Sequence, residues 1–311
     1  MVRVTGAAIS SFADYFSSAK NLMEVLDGPI VELKRLIFMR QISDLHIHST
    51  ASDGQYTPVQ LVELAKGCGL TVMALTDHDT MDGLEEAIRA GKQCGLYVIP
   101  GVELSAKEYP TFHILGYGFD LQASPLAELC RRMKTQRDER TKRLLVFLRE
   151  KEIDLSVFEV MELAGGDVIG RPHFAQAMVR RGYVSSNREA FDRYLDTQEY
   201  HEKVERGKPS VRECMKAIKD SGGKVSLAHP YQIGVSDGEL DKLVGELVGY
   251  GLDAVECYYP KYTSEQQEFY LRLVEKYHLH QTGGSDFHGE KVKPDVELAS
   301  FRLNVDWLLE N

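Results

Sequence analysis

A regular alternation of short apolar runs with helical patterns constrains this chain more than any other feature. From Ile42 onward, most of the runs are followed by a stretch with helical periodicity, such as "TPVQLVELAKGCG" after the first. Repeated βα units are typical of α/β proteins, and seven strands suffice for a barrel. The candidate strands are "ISDLHIH", "TVMALTDH", "YVIPGVELS", "TFHILGYGF", "GKVSLAHP", "LDAVECYY" and "HQTGGSD". We therefore expect an α/β fold built around a (βα)7 barrel.

Two parts of the chain fall outside this repeat. Residues 1–40 carry apolar side chains at helical spacing, interrupted by "DGP". This predicts an N-terminal helical extension, which either packs on the main domain or mediates self-association. Residues 120–209 show only helical patterns between the fourth and fifth strands. We expect a helical insertion subdomain there, with the barrel domain over residues 41–119 and 210–311.

The composition restricts where such a protein acts. None of the apolar runs is long enough to span a bilayer and the start lacks a signal-peptide layout, so we expect no membrane partner. The five cysteines are scattered without a C-x-x-C pair, which favours the reducing cytoplasm. A formal net charge of −10 argues against nucleic-acid binding by the whole surface, although a local site can still hold a phosphate. The oligomeric state is not predicted.

Histidine and carboxylate side chains cluster at the candidate strands. In "SDLHIHSTASDG", the alternation of a strand places His46 and His48 on one face and Leu45 and Ile47 on the other. Six of the seven candidate strands supply such side chains, mostly at their C-terminal ends, which meet at one mouth in a barrel. We take nine residues as candidate metal ligands and catalytic residues: His46, His48, Asp53, His78, Glu103, His113, His229, Asp286 and His288.

Nine nitrogen and oxygen ligands are more than one metal ion needs. A single catalytic ion takes about three protein ligands, so we expect two or three divalent ions per chain. Imidazole and carboxylate without thiolate suit manganese, our first choice, or iron or zinc. Clustered dications polarise phosphoryl oxygens and lower the pKa of a bound water, which predicts hydrolysis of a phosphate monoester by a hydroxide held between ions. The proton of the leaving group is assigned either to a bound water or to a nearby histidine.

The motifs "DLHIHSTASDG", "ALTDHDTMDG", "PGVELS", "HILGY", "AHP" and "GGSDFHG" together resemble the polymerase-and-histidinol-phosphatase (PHP) family of metal-dependent phosphoesterases. The match runs from about Ile42 to the Asp286 and His288 pair and leaves out the first forty residues. The resemblance implies a distorted seven-stranded α/β barrel with a trinuclear site. All nine of the family's usual ligand positions hold the expected residue types.

Within the insertion, "VIGRPHFAQAMV" is similar to the branch that hydrolyses nucleoside 3',5'-bisphosphates to the 5'-monophosphate. Pro172 suits the first turn of a helix, where the free backbone amides favour anions. The planar guanidinium of Arg171 would add N–H donors whose geometry matches that of a phosphate. We therefore expect Arg171 and His173 to bind a phosphate of the substrate. The alternative is a structural salt bridge for Arg171 and packing for His173.

Other interpretations remain open at this point. Relatives of the same branch trim short 5'-phosphorylated RNA from the 5' end, and histidinol phosphatases use the same metal chemistry. A non-catalytic metal-binding scaffold would be expected to have lost ligands. The amidohydrolase class also begins with H-x-H, but its metals are usually bridged by a modified lysine on strand four, and "TFHILGYGF" has none.

Two further features have two interpretations each. Residues 131–151 hold nine basic residues against three acidic ones, either as a phosphate-attracting face or as a solvated helix. Glu256 and Tyr258 end the sixth strand on one face, where they would either meet the substrate or pack inside the barrel.

Overall fold

A computed structural model describes residues 41–164, 169–204 and 207–309. The expected extension over residues 1–40 lies outside these ranges. The strands are β1 (Ile42–Ile47), β2 (Val72–Leu75), β3 (Tyr97–Ser105), β4 (His113–Tyr117), β5 (Lys224–Leu227), β6 (Ala254–Tyr258), β7 (His280–Gly283) and β8 (Phe301–Arg302). The helices before β5 are α1 (Pro58–Gly67), α2 (Leu84–Cys94), α3 (Ser124–Glu150), α4 (Val157–Ala164), α5 (Arg171–Arg180), α6 (Asn187–Ala190), a π-helix (Phe191–Leu195), α7 (Gln198–Lys203) and α8 (Val211–Asp220). After β5 follow a 3-10 helix (Pro230–Ile233), α9 (Asp237–Gly249), α10 (Ser264–Tyr277) and α11 (Asp306–Leu309).

The strands form one sheet in the order β7, β6, β5, β4, β3, β2, β1, β8, which curls into a nearly closed barrel. The seven predicted strands are all present, so the predicted α/β barrel is confirmed. β8 is an additional two-residue strand that pairs antiparallel with β1.

The strand β4 departs from a uniform βα repeat. It runs antiparallel to both of its neighbours, β3 and β5, whereas β1 to β3 and β5 to β7 pair in parallel. The reason is the short connection of residues 106–112, since a parallel crossover needs a dozen or more residues. The first residue of β4, His113, is paired with Ser105 at the end of β3. This reversal carries His113 to the same mouth as the C-terminal ends of the parallel strands.

The barrel closes where the segment after β7 meets β1. The Asp286 N–H donates to the His46 carbonyl at 2.8 Å, and the His48 N–H donates to the Phe287 carbonyl at 2.9 Å. A glycine is required at position 284, because a Cβ there would lie 2.1 Å from the Cβ of His46. The close approach brings residues 286–288 against the end of β1.

Apolar side chains fill both faces of the barrel strands. One buried cluster lies between the strands and the outer helices and includes Leu75, Val102 and Leu227. The opposite face carries a smaller cluster that includes Leu115 and Tyr117, together with side chains of the chain after β8. The barrel therefore has a packed interior below the mouth.

The helices between β4 and β5 have a buried cluster of their own, which includes Phe147, Phe174 and Tyr200. The long helix α3 joins this cluster to the barrel, because Leu126 and Met133 pack in the barrel cluster whereas Leu144 and Leu148 pack among the inserted helices. No helix in the described part of the chain is long and apolar enough to cross a membrane.

Candidate metal centre

The nine side chains singled out in the sequence lie together at the mouth of the barrel. Three overlapping groups have ligand atoms within 4.8 Å of one another. They comprise His46, His48, Glu103 and Asp286; His48, Asp53, His78 and His288; and His78, Glu103 and His113. The ninth residue, His229, joins them through Glu103, whose Oε1 is 2.8 Å from its Nε2.

Glu103 is the centre of the cluster and is fully buried. Its Oε1 lies 2.8 Å from the Nδ1 of His113, in addition to its contact with His229. Its Oε2 faces three more imidazoles: the distances are 3.0 Å to the Nδ1 of His78 and 3.2 Å to the Nε2 atoms of His46 and His48. One carboxylate thus contacts five of the six candidate histidine ligands.

The other two carboxylates lie on either side of the sixth histidine. The Nε2 of His288 is 3.3 Å from Asp53 Oδ1, and its Nδ1 donates to the backbone carbonyl of Asp286 at 2.9 Å. That second bond leaves Nε2 without a proton in the neutral ring and therefore able to bind a metal. The two carboxylate oxygens of Asp286 have different partners. Oδ1 lies 3.3 Å from the Nε2 of His48, whereas Oδ2 accepts a hydrogen bond from the Nζ of Lys293 at 2.7 Å.

Several buried atoms of this cluster make no hydrogen bond. They are His46 Nε2, both ring nitrogens of His48, His78 Nδ1, Glu103 Oε2 and His229 Nδ1. Buried polar atoms without partners are rare and costly, so six in one place need a specific cause. Divalent cations supply it, because neutral imidazole nitrogens and carboxylate oxygens are their usual donors. The donor set present therefore fits a multinuclear metal site.

The electrostatics of the cluster favour bound cations. Burial alone would raise the pKa of Glu103, but the surrounding imidazoles hold it well below its ordinary value. Burial likewise acts to raise the pKa of Asp53, and His288 and His78 hold it well below its usual range. Burial lowers the pKa of His78 to about 3. Burial acts to lower the pKa values of His46 and His48, but the neighbouring carboxylates raise that of His46 well above its ordinary value and that of His48 to about 9. Protons therefore neutralise part of this negative charge in the absence of metal, and divalent cations would displace them on binding.

The structure corrects one detail of the predicted alternation in β1. The rings of His46 and His48 share one side as expected, with centroids 5.1 Å apart. Leu45 and Ile47, however, pack in different clusters, on opposite faces of the sheet. The cause is an irregularity in β1, whose register against β2 shifts between Asp44 and Ile47. Such a bulge inserts a residue into the alternation and re-aims the side chains around it.

Three residues near the cluster, Tyr259, Glu256 and Lys293, were not anticipated as partners of the candidate ligands. Tyr259 donates to Asp286 Oδ2 at 3.1 Å, beside the contact from Lys293. Glu256 packs inside the barrel, the second of its two anticipated positions, and there it contacts His46 and the backbone of His229. The position of Glu256 on the inner face of the sixth strand could have indicated this role from the sequence. No pattern in the sequence points to Lys293, which lies in a loop after β7.

The insertion is linked to the same mouth by an ion pair, and it carries the candidate phosphate ligand His173. Arg137 of α3 forms an ion pair with Asp79, directly after His78. His173, in the first turn of α5, is buried. Burial lowers the pKa of His173, and the Asp53 carboxylate acts in the opposite direction. The Gly170 N–H donates to its Nδ1 at 3.0 Å, so the neutral ring carries its proton on Nε2.

Arg171 has partners within the insertion. Its Nη1 lies 2.7 Å from Asp196 Oδ1 and donates to the Leu195 carbonyl at 3.2 Å. The guanidinium also lies over the rings of Phe191 and Tyr200, 5.7 and 5.6 Å from their centroids. These contacts match the salt-bridge alternative for Arg171. Within the described residues, no contact joins it to the nine clustered side chains.

Most of the basic residues in the stretch 131–151 are neutralised by acidic partners. Six of the nine form ion pairs: Arg132 with Glu213, Lys134 with Asp82, Arg137 with Asp79, Arg143 with Glu139, Arg149 with Asp154 and Lys151 with Glu199. A charge that already has a carboxylate partner attracts phosphate weakly. The stretch is therefore closer to a solvated, paired helix surface than to a basic track.

Known proteins resemble this chain over most of its length. The model of the PHP domain family matches residues 44–205. The crystal structure of a protein from Bifidobacterium adolescentis, described as a candidate metal-dependent phosphoesterase, superimposes with a TM-score of 0.73 at 30% identity and covers 87% of this chain and 96% of its own. This neighbour supports the distorted barrel expected from the resemblance.

Three curated relatives are named for different activities. A 5'-3' exoribonuclease of Haemophilus influenzae is 34% identical, covering 79% of this chain and 89% of its own. A phosphoribosyl 1,2-cyclic phosphate 1,2-diphosphodiesterase of Eggerthella lenta is 32% identical, covering 80% and 95%. A 3',5'-nucleoside bisphosphate phosphatase of Chromobacterium violaceum is 29% identical, covering 79% and 86%.

The activities of these relatives differ in substrate but share the hydrolysis of a phosphoric ester. The predicted enzyme class, a metal-dependent phosphoric ester hydrolase, is confirmed by these matches. With a family model that matches half of its residues and a ligand-type cluster at the mouth of its barrel, the chain belongs to the PHP domain family.

Proposed function

We propose that this enzyme removes the 3'-phosphate from nucleoside 3',5'-bisphosphates and releases the 5'-monophosphate. The observation that carries the proposal is the convergence of nine ligand-type side chains at one mouth, to which the insertion is joined by the ion pair of Arg137 with Asp79. The Chromobacterium violaceum relative has this activity by name. Six of the nine basic residues at positions 131–151 already have acidic partners, which further favours a small substrate over a long nucleic acid.

In this proposal the nine residues hold two or three divalent ions, with manganese as the first candidate. The ions would supply a water of lowered pKa and would polarise the phosphoryl oxygens. Glu103 bridges the cluster, and Asp286 and Asp53 orient His48 and His288 beside it. His173 is the candidate hydrogen-bond donor to a phosphate through Nε2–H, because its Nδ1 accepts from the Gly170 N–H. The cytoplasm remains our proposed compartment, since all five cysteines are unpaired.

Trimming of short 5'-phosphorylated RNA is the second candidate. The Haemophilus influenzae relative favours it, because its identity to this chain is higher than that of the bisphosphate phosphatase. Both candidate substrates carry a 5'-phosphate, and they differ in what is attached on the 3' side.

A substrate panel separates these functions. We expect phosphate release from a nucleoside 3',5'-bisphosphate, in the presence of manganese, with a higher kcat/KM than hydrolysis of 5'-phosphorylated RNA, phosphoribosyl 1,2-cyclic phosphate or histidinol phosphate. Chromatography of the products should show the 5'-monophosphate. Faster cleavage of the RNA would favour the second candidate, and the absence of turnover on every member by metal-loaded protein would contradict both.

We propose that Arg171 and His173 bind the phosphate that is not cleaved. The ion pair of Arg171 with Asp196 uses Nη1, so in this proposal Nη2 and Nε supply the contact to the phosphate. Arg171→Ala should lower kcat/KM on the bisphosphate by roughly 10- to 100-fold, which corresponds to a charge-assisted contact of about 1.5–3 kcal/mol. The loss should be smaller on a substrate without the second phosphate, and the metal content should not change.

The control for this experiment is Asp196→Asn, which removes the structural partner of Arg171 and keeps the guanidinium. If Arg171 serves only the salt bridge, the two variants will lose the same activity on both substrates. That result would rule out the phosphate contact. His173→Ala, measured in parallel, reports on the Nε2–H donor by the same comparison of substrates.

A further inference from the structure

A fully buried carboxylate outside the nine candidate ligands lies directly beneath them. Glu256 is in the middle of β6, and its exposed fraction is 0%. Burying an ionised group is costly unless strong hydrogen bonds compensate. The partners of its hydrogen bonds therefore indicate the role of the Glu256 carboxylate.

Each oxygen of Glu256 has a different partner. Oε1 lies 3.0 Å from the Nδ1 of His46, and Oε2 accepts from the backbone N–H of His229 at 2.7 Å. The two histidines come from β1 and from the end of β5, which lie on different sides of β6 in the barrel. One side chain thus joins two separate parts of the cluster.

The contact with His46 determines which of its nitrogens carries the proton. A carboxylate only accepts, so Nδ1 donates to Glu256 and the neutral ring keeps a lone pair on Nε2. That nitrogen faces Glu103 at 3.2 Å and Asp286 at 3.7 Å. Glu256 therefore directs the metal-binding atom of His46 into the cluster.

The contact with His229 acts on a strained backbone. His229 has a φ of 23°, in a region that side chains other than glycine rarely adopt. Such conformations cost on the order of 1–3 kcal/mol and persist only where the surroundings impose them. The bond from its N–H to Glu256 helps to impose this one, and it is what aims Nε2 at Glu103 Oε1.

We propose that Glu256 is a positioning residue that sets His46 and His229 for metal binding at the same time. The inference rests on the metal-dependent chemistry of the proposed function, but not on which phosphate ester is the substrate. Glu256 itself binds neither the metal nor the substrate in this proposal, and it acts through the two histidines.

The isosteric variant Glu256→Gln tests this directly, because an amide cannot serve both partners. If its oxygen accepts from Nδ1 of His46, its NH2 group opposes the N–H of His229. If it is turned around, its NH2 group forces Nδ1 of His46 to accept, which places the ring proton on Nε2 where the metal should bind. In either orientation one metal-binding histidine is misplaced.

We expect Glu256→Gln to weaken metal binding by roughly 10- to 100-fold, the usual effect of losing an outer partner of a metal ligand. Metal per chain, measured by elemental analysis after dialysis against a graded chelator, should fall below that of the unmodified protein. The kcat should fall with little change in KM and should recover with excess manganese. Circular dichroism should first show that the variant is folded, so that metal contents are compared only between folded proteins.

The matched control is Asp253→Asn at the opposite end of β6. Asp253 also accepts from a backbone N–H, that of Val225 at 2.7 Å, but it lies away from the mouth. Equal metal loss in both variants would overturn the proposal, as would unchanged metal affinity in Glu256→Gln. A Glu256→Asp variant, which is too short to reach both partners, should show the same metal deficit. Because metal content is measured without substrate, a wrong substrate assignment would not imitate failure of this proposal.

Discussion

Glu103→Gln should abolish most of the metal binding and most of the activity. The amide has the same shape, but it removes the negative charge that five imidazoles face and replaces one oxygen by a donor. Losing only an outer partner of a metal ligand already costs roughly 10- to 100-fold in metal affinity or activity, so loss of this central carboxylate should lower kcat/KM by more than about 100-fold.

The measurement combines kinetics with elemental analysis of the same preparations. Because Glu103 participates in two of the three ligand groups, we expect the loss of more than one ion per chain. Glu108→Gln is the matched control, since Glu108 lies just after β3 and accepts from the Val211 N–H rather than from the cluster. Full metal content and a near-normal rate in Glu103→Gln would contradict the central role of this carboxylate.

Metal removal should lower the thermal stability of the whole domain. The cluster contains buried nitrogen and oxygen atoms without hydrogen bonds, and ions that bind only the folded chain stabilise it by mass action. One ion at a concentration a hundred times its Kd contributes about 2.7 kcal/mol. For a domain of this size each kcal/mol raises Tm by roughly 2–4 °C, so one ion should raise it by about 5–10 °C.

Scanning calorimetry of chelated protein, before and after manganese is restored, provides this measurement. The Tm of Glu103→Gln should respond much less to manganese, which separates binding at the cluster from general effects of the ion. Identical Tm values for chelated and restored wild-type protein would show that the cluster holds no tightly bound ion under these conditions.

The amino-acid pattern alone predicts a large part of this protein. Periodicity identifies the seven strands because a pleated strand alternates its side chains, and it places His46 and His48 on one side. The clustering of histidine and carboxylate at strand ends then predicts one mouth and its nine side chains, because strand ends meet in a barrel. These are local properties, and each can be recognised within a few residues.

Only the tertiary structure decided the features that depend on contacts between distant segments. The bulge in β1 and the hydrogen bonds that close the barrel between β1 and the segment after β7 follow from pairing between strands, which no single strand encodes. Glu256 and His46 are 210 residues apart in sequence. Arg171 and Asp196, which form an ion pair within the insertion, are 25 residues apart. Such partners are selected by the packing of the whole chain, because a buried charge takes whichever donor the fold brings within hydrogen-bond distance.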